Sequence, residues 1–339
     1  MRLVVVTQEI DPASPVLGAT VAKVRALAER CDEVVVLADR AVEGALPANC
    51  RVRLFRSPLR AGRGARFEVA LARELARRPR PAAVLAHMCP IYAVLAAPPS
   101  RPLGVRVLLW FTHWRSSRLL AVAERASNAV LTVDPRSFPL PSTKLRAIGH
   151  GIELDGFPCV DRTPRDGLEV VALGRTSPAK GLEVVVRAAA LEPSLRVRLV
   201  GPSLTPEERA HRSALERLVA ELGVGDRVTV SGPVPRDEVP DLLGGADALV
   251  NNMRAGATDK IVFEAAATCL PVLASNPALD TLLPPELRFE RDDPSSLVAR
   301  LRWLAGADRP AIGRELRAGV ERMHSVRAWA DAVIEVAQG

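Results

Sequence analysis

Thr258-Asp259-Lys260-Ile261-Val262-Phe263-Glu264-Ala265-Ala266-Ala267-Thr268-Cys269-Leu270-Pro271-Val272-Leu273-Ala274-Ser275-Asn276 is the stretch from which the rest of the chain is best read. Thr258 or Asp259 supplies a helix cap, Ile261 to Ala267 builds the helix, and Leu270-Pro271 ends it before a short strand at Val272-Leu273-Ala274. Glu264 interrupts an apolar run, where a carboxylate is costly unless something pairs with it. A helix that opens after a loop and carries a carboxylate two turns in suits a phosphorylated sugar nucleotide. The free N–H groups would meet phosphate and the carboxylate would hold ribose hydroxyls. The plainer alternative is a core helix with one oddly placed Glu.

Outward from this stretch, short apolar runs alternate with helical ones. Strands are expected at Leu3 to Val6, Glu33 to Leu37, Val52 to Leu54, Ala83 to Ala86, Val105 to Leu109 and Ala129 to Val133, with helices at 20–30, 66–78 and 119–126. The pattern restarts with strands at Glu169 to Leu173, Arg196 to Val200, Arg227 to Val230, Ala248 to Val250 and Val272 to Ala274. Helices near 181–191, 206–222, 236–244 and 259–268 separate them, and the tail over 310–338 is helical. Near-continuous Val/Leu/Ala strands between helices predict parallel sheets covered on both faces, an α/β architecture in two doubly wound domains. Such domains place ligands at the carboxyl ends of their strands.

Val171-Ala172-Leu173-Gly174-Arg175-Thr176-Ser177-Pro178-Ala179-Lys180-Gly181 is a strand, a loop and a helix start, with Arg175 and Lys180 flanking the loop. Two cations there suit a diphosphate, whose charge they offset as a bond to it breaks. With the 258–276 stretch, this loop resembles the nucleotide-sugar site of the retaining family 4 glycosyltransferases (glycosyl transferases group 1). That resemblance implies the GT-B fold: two facing Rossmann-like domains, with a C-terminal helix crossing back to the first. The domains implied are an acceptor-side domain over 1–155, a linker over 156–167, a nucleotide-sugar domain over 168–320 and the returning helix over 321–339.

The resemblance also implies roles. Arg175 and Lys180 hold the leaving diphosphate and Glu264 binds ribose; at the helix start (Thr258, Asp259, Lys260) the backbone amides of residues 257–260 are available to phosphate, and Lys260 adds a phosphate contact. Val234, in the turn Gly232-Pro233-Val234-Pro235, meets the base, although a plain strand-to-helix connection fits that turn equally well. Gly18 lets the first loop approach the donor. His113, in Trp110-Phe111-Thr112-His113-Trp114, contacts the donor sugar, or is a half-buried ring beside two tryptophans; His87 is the second candidate. The chain departs from the family twice. The first Glu of the Glu-x7-Glu motif falls on Gly256, so Asp259 either replaces it or serves as an N-cap. His150 stands where the end of the first domain carries Asn.

Composition sets the remaining bounds. Of 339 residues 48% are hydrophobic and 25% charged, and no apolar run spans a bilayer. Met1 to Val6 is too short for a secretory core and reads as a strand. Five scattered cysteines without metal spacing predict free thiols in a reducing compartment, hence a cytoplasmic protein. The net charge of +7 rests largely on Arg, with a cluster at Arg56, Arg60, Arg63, Arg66, Arg73, Arg77, Arg78 and Arg80. That cluster reads either as a surface helix packing on its own domain or as a peripheral contact with an anionic membrane at its inner face. Aromatics at 4% and the lack of a binding module argue against nucleic acid.

No Asp-x-Asp pair, metal-spaced cluster, Gly-x-Ser-x-Gly, Walker loop or Gly-x-Gly-x-x-Gly is present. The expectation is a metal-independent retaining hexosyltransferase with no cofactor. It would use a nucleotide-diphosphate sugar as donor, and the leaving diphosphate would assist same-face attack by a hydroxyl acceptor. Two alternatives stand beside it: a nucleotide-binding scaffold that has lost transfer, and a non-hydrolysing sugar-nucleotide 2-epimerase.

Overall fold

The computed structural model describes residues 1–14, 17–162 and 167–339. The chain divides into two compact units, residues 1–153 with 323–339, and residues 154–322. In the first, strands β1 (Arg2–Ile10), β2 (Glu33–Ala41), β3 (Cys50–Leu54), β4 (Ala83–His87), β5 (Arg106–Trp110), β6 (Ala129–Thr132) and β7 (Leu145–Ala147) form a seven-stranded sheet in the order β3-β2-β1-β4-β5-β6-β7. All pairings are parallel. Helices α1 (Ala19–Ala28), α2 (Arg60–Ala76), α3 (Pro90–Ser100) and α4 (Arg118–Ala126) accompany them. The strand order reverses between β1 and β4, the switch point at which doubly wound sheets place ligands.

Helix α3 is an element that the sequence pattern does not announce. Pro90 sits at its first position, where a missing N–H costs nothing, and Pro98 and Pro99 fall in its last turn. Its inner face buries Tyr92, Ala93, Ala96 and Ala97. Tyr92 meets the fully buried Phe55 and Phe67, with ring centroids 5.1 and 4.8 Å away. Across the first turns of the sheet, the buried carboxylate of Glu74 on α2 gathers Arg2, Arg51, Arg53 and Arg77. Part of the arginine cluster is thereby spent on holding α2 to the sheet.

The second unit repeats the plan with β8 (Leu168–Leu173), β9 (Leu195–Val200), β10 (Val228–Ser231), β11 (Ala248–Asn251) and β12 (Val272–Ala274), ordered β10-β9-β8-β11-β12 and all parallel. Its helices are α5 (Glu183–Leu191), α6 (Pro206–Glu221), α7 (Val239–Gly244), α8 (Lys260–Ala267), α9 (Pro294–Ala305) and α10 (Arg309–Met323). The last helix, α11 (Val326–Gln338), belongs to the first unit, where it packs on α1. Trp329 of α11 meets Trp110 edge-on at 5.6 Å, and Asp331 takes the Arg30 guanidinium.

Two expectations are corrected here. Residues 156–162 are no free linker but part of the second unit, because Cys159 forms a disulfide with Cys269 and Arg162 donates to the carbonyls of Thr268 and Cys269. The other linker residues, 163–166, lie outside the described residues. Nor are all five thiols free: only Cys31, Cys50 and Cys89 are. A sequence separation of 110 residues hid the pair, and cysteine usage no longer argues for a reducing compartment. Among the described residues no helix is long and apolar enough to cross a membrane.

Burial in the first unit carries a pH signature. Burial pushes the His324 imidazole from 6.5 down to about 4, and burial, followed by the Lys23 charge, lowers that of His87 well below its ordinary value. The unfolded chain therefore takes up protons near pH 6.5 that the native state refuses. Stability present above pH 6.5 should fall progressively as pH drops toward 4, by about 3 kcal/mol for His324 alone. Urea midpoints at pH 7 and pH 4.5 measure the loss. His324→Asn should make the dependence shallower, and an unchanged slope would remove His324 from it.

Candidate functional site

Around the carboxyl ends of β8 and β11, the switch point of the second sheet, the chain assembles two polar clusters joined by α8. The loop after β8 begins at Gly174, whose φ of +128° favours glycine and whose added Cβ would lie 2.2 Å from Lys180 Nζ. With no side chain there, Lys180 folds back over the strand end. Ser177 caps the short turn Pro178–Lys180, and Gly181 closes it in a left-handed conformation. Lys180 Nζ donates to the Leu173 carbonyl at 2.8 Å and pairs with Asp259 at 2.5 Å. Asn251 Nδ2, from the end of β11, donates to the same Asp259 oxygen at 3.0 Å.

Asp259 occupies the N-cap position of α8, yet its side chain makes no capping bond. The carboxylate is spent on Lys180 and Asn251, which decides between the two readings of this residue against a simple cap. An ammonium has three donors. Two of the Lys180 donors are placed, and one remains for a further acceptor such as a phosphate oxygen. That acceptor shares Lys180 with Asp259, so the cation is partly offset before any ligand arrives.

Glu264 is the centre of the second cluster and is only 2% exposed. Its partners are Lys260, one turn earlier at 2.9 Å, and Arg236, which grips it with both terminal nitrogens at 2.9 and 2.5 Å. The Arg236 guanidinium lies 5.0 Å from the centre of the Phe157 ring. A carboxylate offers about four acceptor positions. Oε1 receives both Arg236 and Lys260 and Oε2 receives Arg236 alone, leaving one position on Oε2. One hydroxyl can therefore bind without unpairing the buried charge.

Arg236 was missed in the sequence reading. Two signals could have found it: a buried Glu264 demands a cation, and an arginine follows Val234 by two residues in the turn assigned to the base. Val234 itself is half-buried beside it.

The opposite end of α8 is fastened. Arg162 donates to the carbonyls of Thr268 and Cys269, and Arg317 to that of Ala267, so two cations meet the helix C-terminus, where the dipole favours them. Burial lowers the Arg162 pKa to about 10.

The remaining expected residues divide. Arg175 does not join Lys180; it pairs with Glu208 at the start of α6 at 3.1 Å and stays 56% exposed. Thr258 is half-buried at the entrance to α8. Gly256, where the family carries its first Glu, has φ +80°, a conformation that a glutamate rarely adopts. In the first unit, Gly18 is the N-cap residue before α1 and owes its small size to its own loop: a Cβ there would lie 2.7 Å from the Ser14 carbonyl oxygen and 2.8 Å from that of Pro12. His113 is exposed, stacks on Trp114 and accepts from the Arg115 N–H at 3.0 Å. The alternative of a half-buried His113 is thereby corrected. His87 is buried beside Trp110 and offers no surface to a ligand. His150 is buried as well. Among the described residues no group of three or more His, Cys, Asp or Glu is placed to hold a metal ion.

Comparison with known proteins fits this geometry. Residues 161–279, the segment carrying both clusters, match the family of glycosyl transferases group 1. That segment lies within the second unit. Among curated relatives, the D-inositol 3-phosphate glycosyltransferase of Streptomyces scabiei is 29% identical over 48% of this chain and 39% of its own length. That of Streptomyces griseus is 33% identical over 33% of this chain and 25% of its own length. The matched part thus spans well under half of either relative. Anabaena HepE in complex with UDP superposes with a TM-score of 0.79 at 15% identity, covering 99% of both chains. Sucrose-phosphate synthase from Thermosynechococcus elongatus gives 0.74 at 20% identity, covering 99% of this chain and 98% of the other. These likenesses establish the fold as that of GT-B glycosyltransferases.

Proposed function

We propose that the chain is a retaining glycosyltransferase that moves a hexose from a nucleotide-diphosphate sugar to a hydroxyl acceptor. The observation that carries this reading is the pair of clusters on α8: Lys180 with one donor to spare at the helix entrance, and a buried Glu264 with one acceptor position to spare. Their spacing along one helix suits a diphosphate and a ribose held together. Lys180 holds the leaving diphosphate, with the exposed Arg175 as a second cation. Glu264 receives a ribose hydroxyl, and His113 orients the transferred sugar. Lys180 and Arg175, beside the start of α8, take the place of a divalent ion, so transfer is metal-independent and needs no cofactor. The diphosphate itself assists deprotonation of the acceptor on the face it leaves.

UDP is the first nucleotide to test, because HepE binds UDP. D-inositol 3-phosphate is the first acceptor, because it stands in the names of the curated relatives. A thermal-shift panel of UDP, GDP, ADP, CDP and their sugar conjugates should show one nucleotide stabilising the fold, by about 2.7 kcal/mol at a hundredfold excess over its Kd. Glu264→Gln should then raise the donor KM about tenfold while the chelator EDTA leaves turnover intact. An unchanged KM removes Glu264 from the ribose, and loss of activity with the chelator removes metal independence.

One observation favours a second reading. With Gly256 in place of the first acid, and Asp259 and Glu264 both already paired, the site also suits a scaffold that binds nucleotide without transfer. Nucleotide binding with neither transfer nor donor hydrolysis would select it.

A further inference from the structure

The basic character of this protein is not spread over it. Residues 51–80 contain ten arginines and two glutamates and no other charged residue, a net +8, whereas the whole chain carries +7. Everything outside these thirty residues therefore sums to −1. At the surface the excess is smaller than this count, because Arg51, Arg53 and Arg77 pair with the buried Glu74, Arg51 and Arg77 also with Glu33, and Arg63 with Asp39, while Glu68 is the exposed acid of the segment.

The segment folds into edge strand β3 and helix α2, and what it exposes is not purely charged. Leu59 is 71% exposed, Leu54 58% and Val69 52%. An open groove between strand and helix is lined by Val52, Leu54, Ala65, Arg66, Val69 and Arg73 among others. Arg56, Arg60, Arg66 and Arg73 are exposed, and none makes an ion pair among the described residues. The two aromatic rings of the segment, Phe55 and Phe67, are fully buried.

We propose that this face of the first unit docks on an anionic phospholipid bilayer. These guanidinium groups, which make no ion pair among the described residues, would meet lipid phosphates, while Leu54, Leu59 and Val69 enter the interface between them. Arginine suits that boundary because its stem lies along apolar surface while its head stays with the phosphates. A single-stranded nucleic acid would instead call for exposed rings on which bases stack, and this face has none to offer.

The test is co-flotation of the full chain with phosphatidylglycerol-containing vesicles and with pure phosphatidylcholine vesicles, at low and high salt. Binding should require phosphatidylglycerol and weaken with salt. A variant carrying Arg56→Gln, Arg60→Gln, Arg66→Gln and Arg73→Gln should lose at least about a hundredfold in partitioning. A second variant, Leu54→Ser with Leu59→Ser, should lose about tenfold and keep its salt dependence. Thermal melts establish that each variant is folded, and the leucine variant alone decides the matter if the arginine variant is not. The proposal is overturned if phosphatidylglycerol vesicles do not bind. It is equally overturned if binding ignores the folded variants, or if the leucine variant binds vesicles and heparin as tightly as the parent. That last result would assign the face to a soluble polyanion.

Discussion

Lys180→Ala should lower kcat by about a hundred- to a thousandfold, the loss found when one preorganised charge is withdrawn from a developing anion. The reason is local. Lys180 is held by the Leu173 carbonyl and by Asp259, so its remaining donor points from a fixed position. Arg175, half exposed and tied to Glu208, is less constrained, and Arg175→Ala should cost less. That ordering separates the structure from the sequence pattern, which treats the two cations as equals. Single-turnover kinetics on both variants checks it. Wild-type rates in Lys180→Ala would end the diphosphate reading, and equal losses would mean that Arg175 leaves Glu208 when the donor binds. Lys180→Arg is not a rescue in advance, since a planar fork cannot reproduce an ammonium folded over Gly174.

The second large effect concerns stability. The Cys159–Cys269 disulfide closes a loop of sequence separation 110 and anchors the segment that precedes β8 to the residue just beyond α8. Cross-links over loops of that length contribute about 2–4 kcal/mol. Cys159→Ser with Cys269→Ser, or reduction by dithiothreitol, should therefore lower the melting temperature of the second unit by about 4–16 °C. Thiol titration of the denatured, unreduced protein should find the three free cysteines Cys31, Cys50 and Cys89. Five reactive thiols, or a melt indifferent to dithiothreitol, would refute the cross-link. Donor affinity should weaken along with stability, because the C-terminal end of α8 is held by the same segment through Arg162.

Much of the site was legible before the fold. The helix at 258–268, its buried glutamate and the Gly-Arg…Lys-Gly loop all lie in continuous segments, and their chemistry follows from spacing along one strand or one helix turn. The lysine four residues before Glu264 is such a neighbour, and it does pair with it. Arg236, twenty-eight residues before Glu264, is not a neighbour in that sense; the turn after β10 must first be laid beside α8.

Sequence alone therefore determined most of the elements, their parallel packing and the helix at 258–268 with its buried glutamate, though not α3, β7 or α9. These depend on apolar periodicity and capping, which act over a few residues. Tertiary structure decided which charges neutralise which. It sent Arg175 to Glu208 and Lys180 to Asp259, buried His87, joined Cys159 to Cys269, and left Arg56, Arg60, Arg66 and Arg73 without ion pairs among the described residues. The physical reason is range. A charge or a thiol takes whatever partner the fold carries within a few ångströms, and that partner has no fixed distance along the chain.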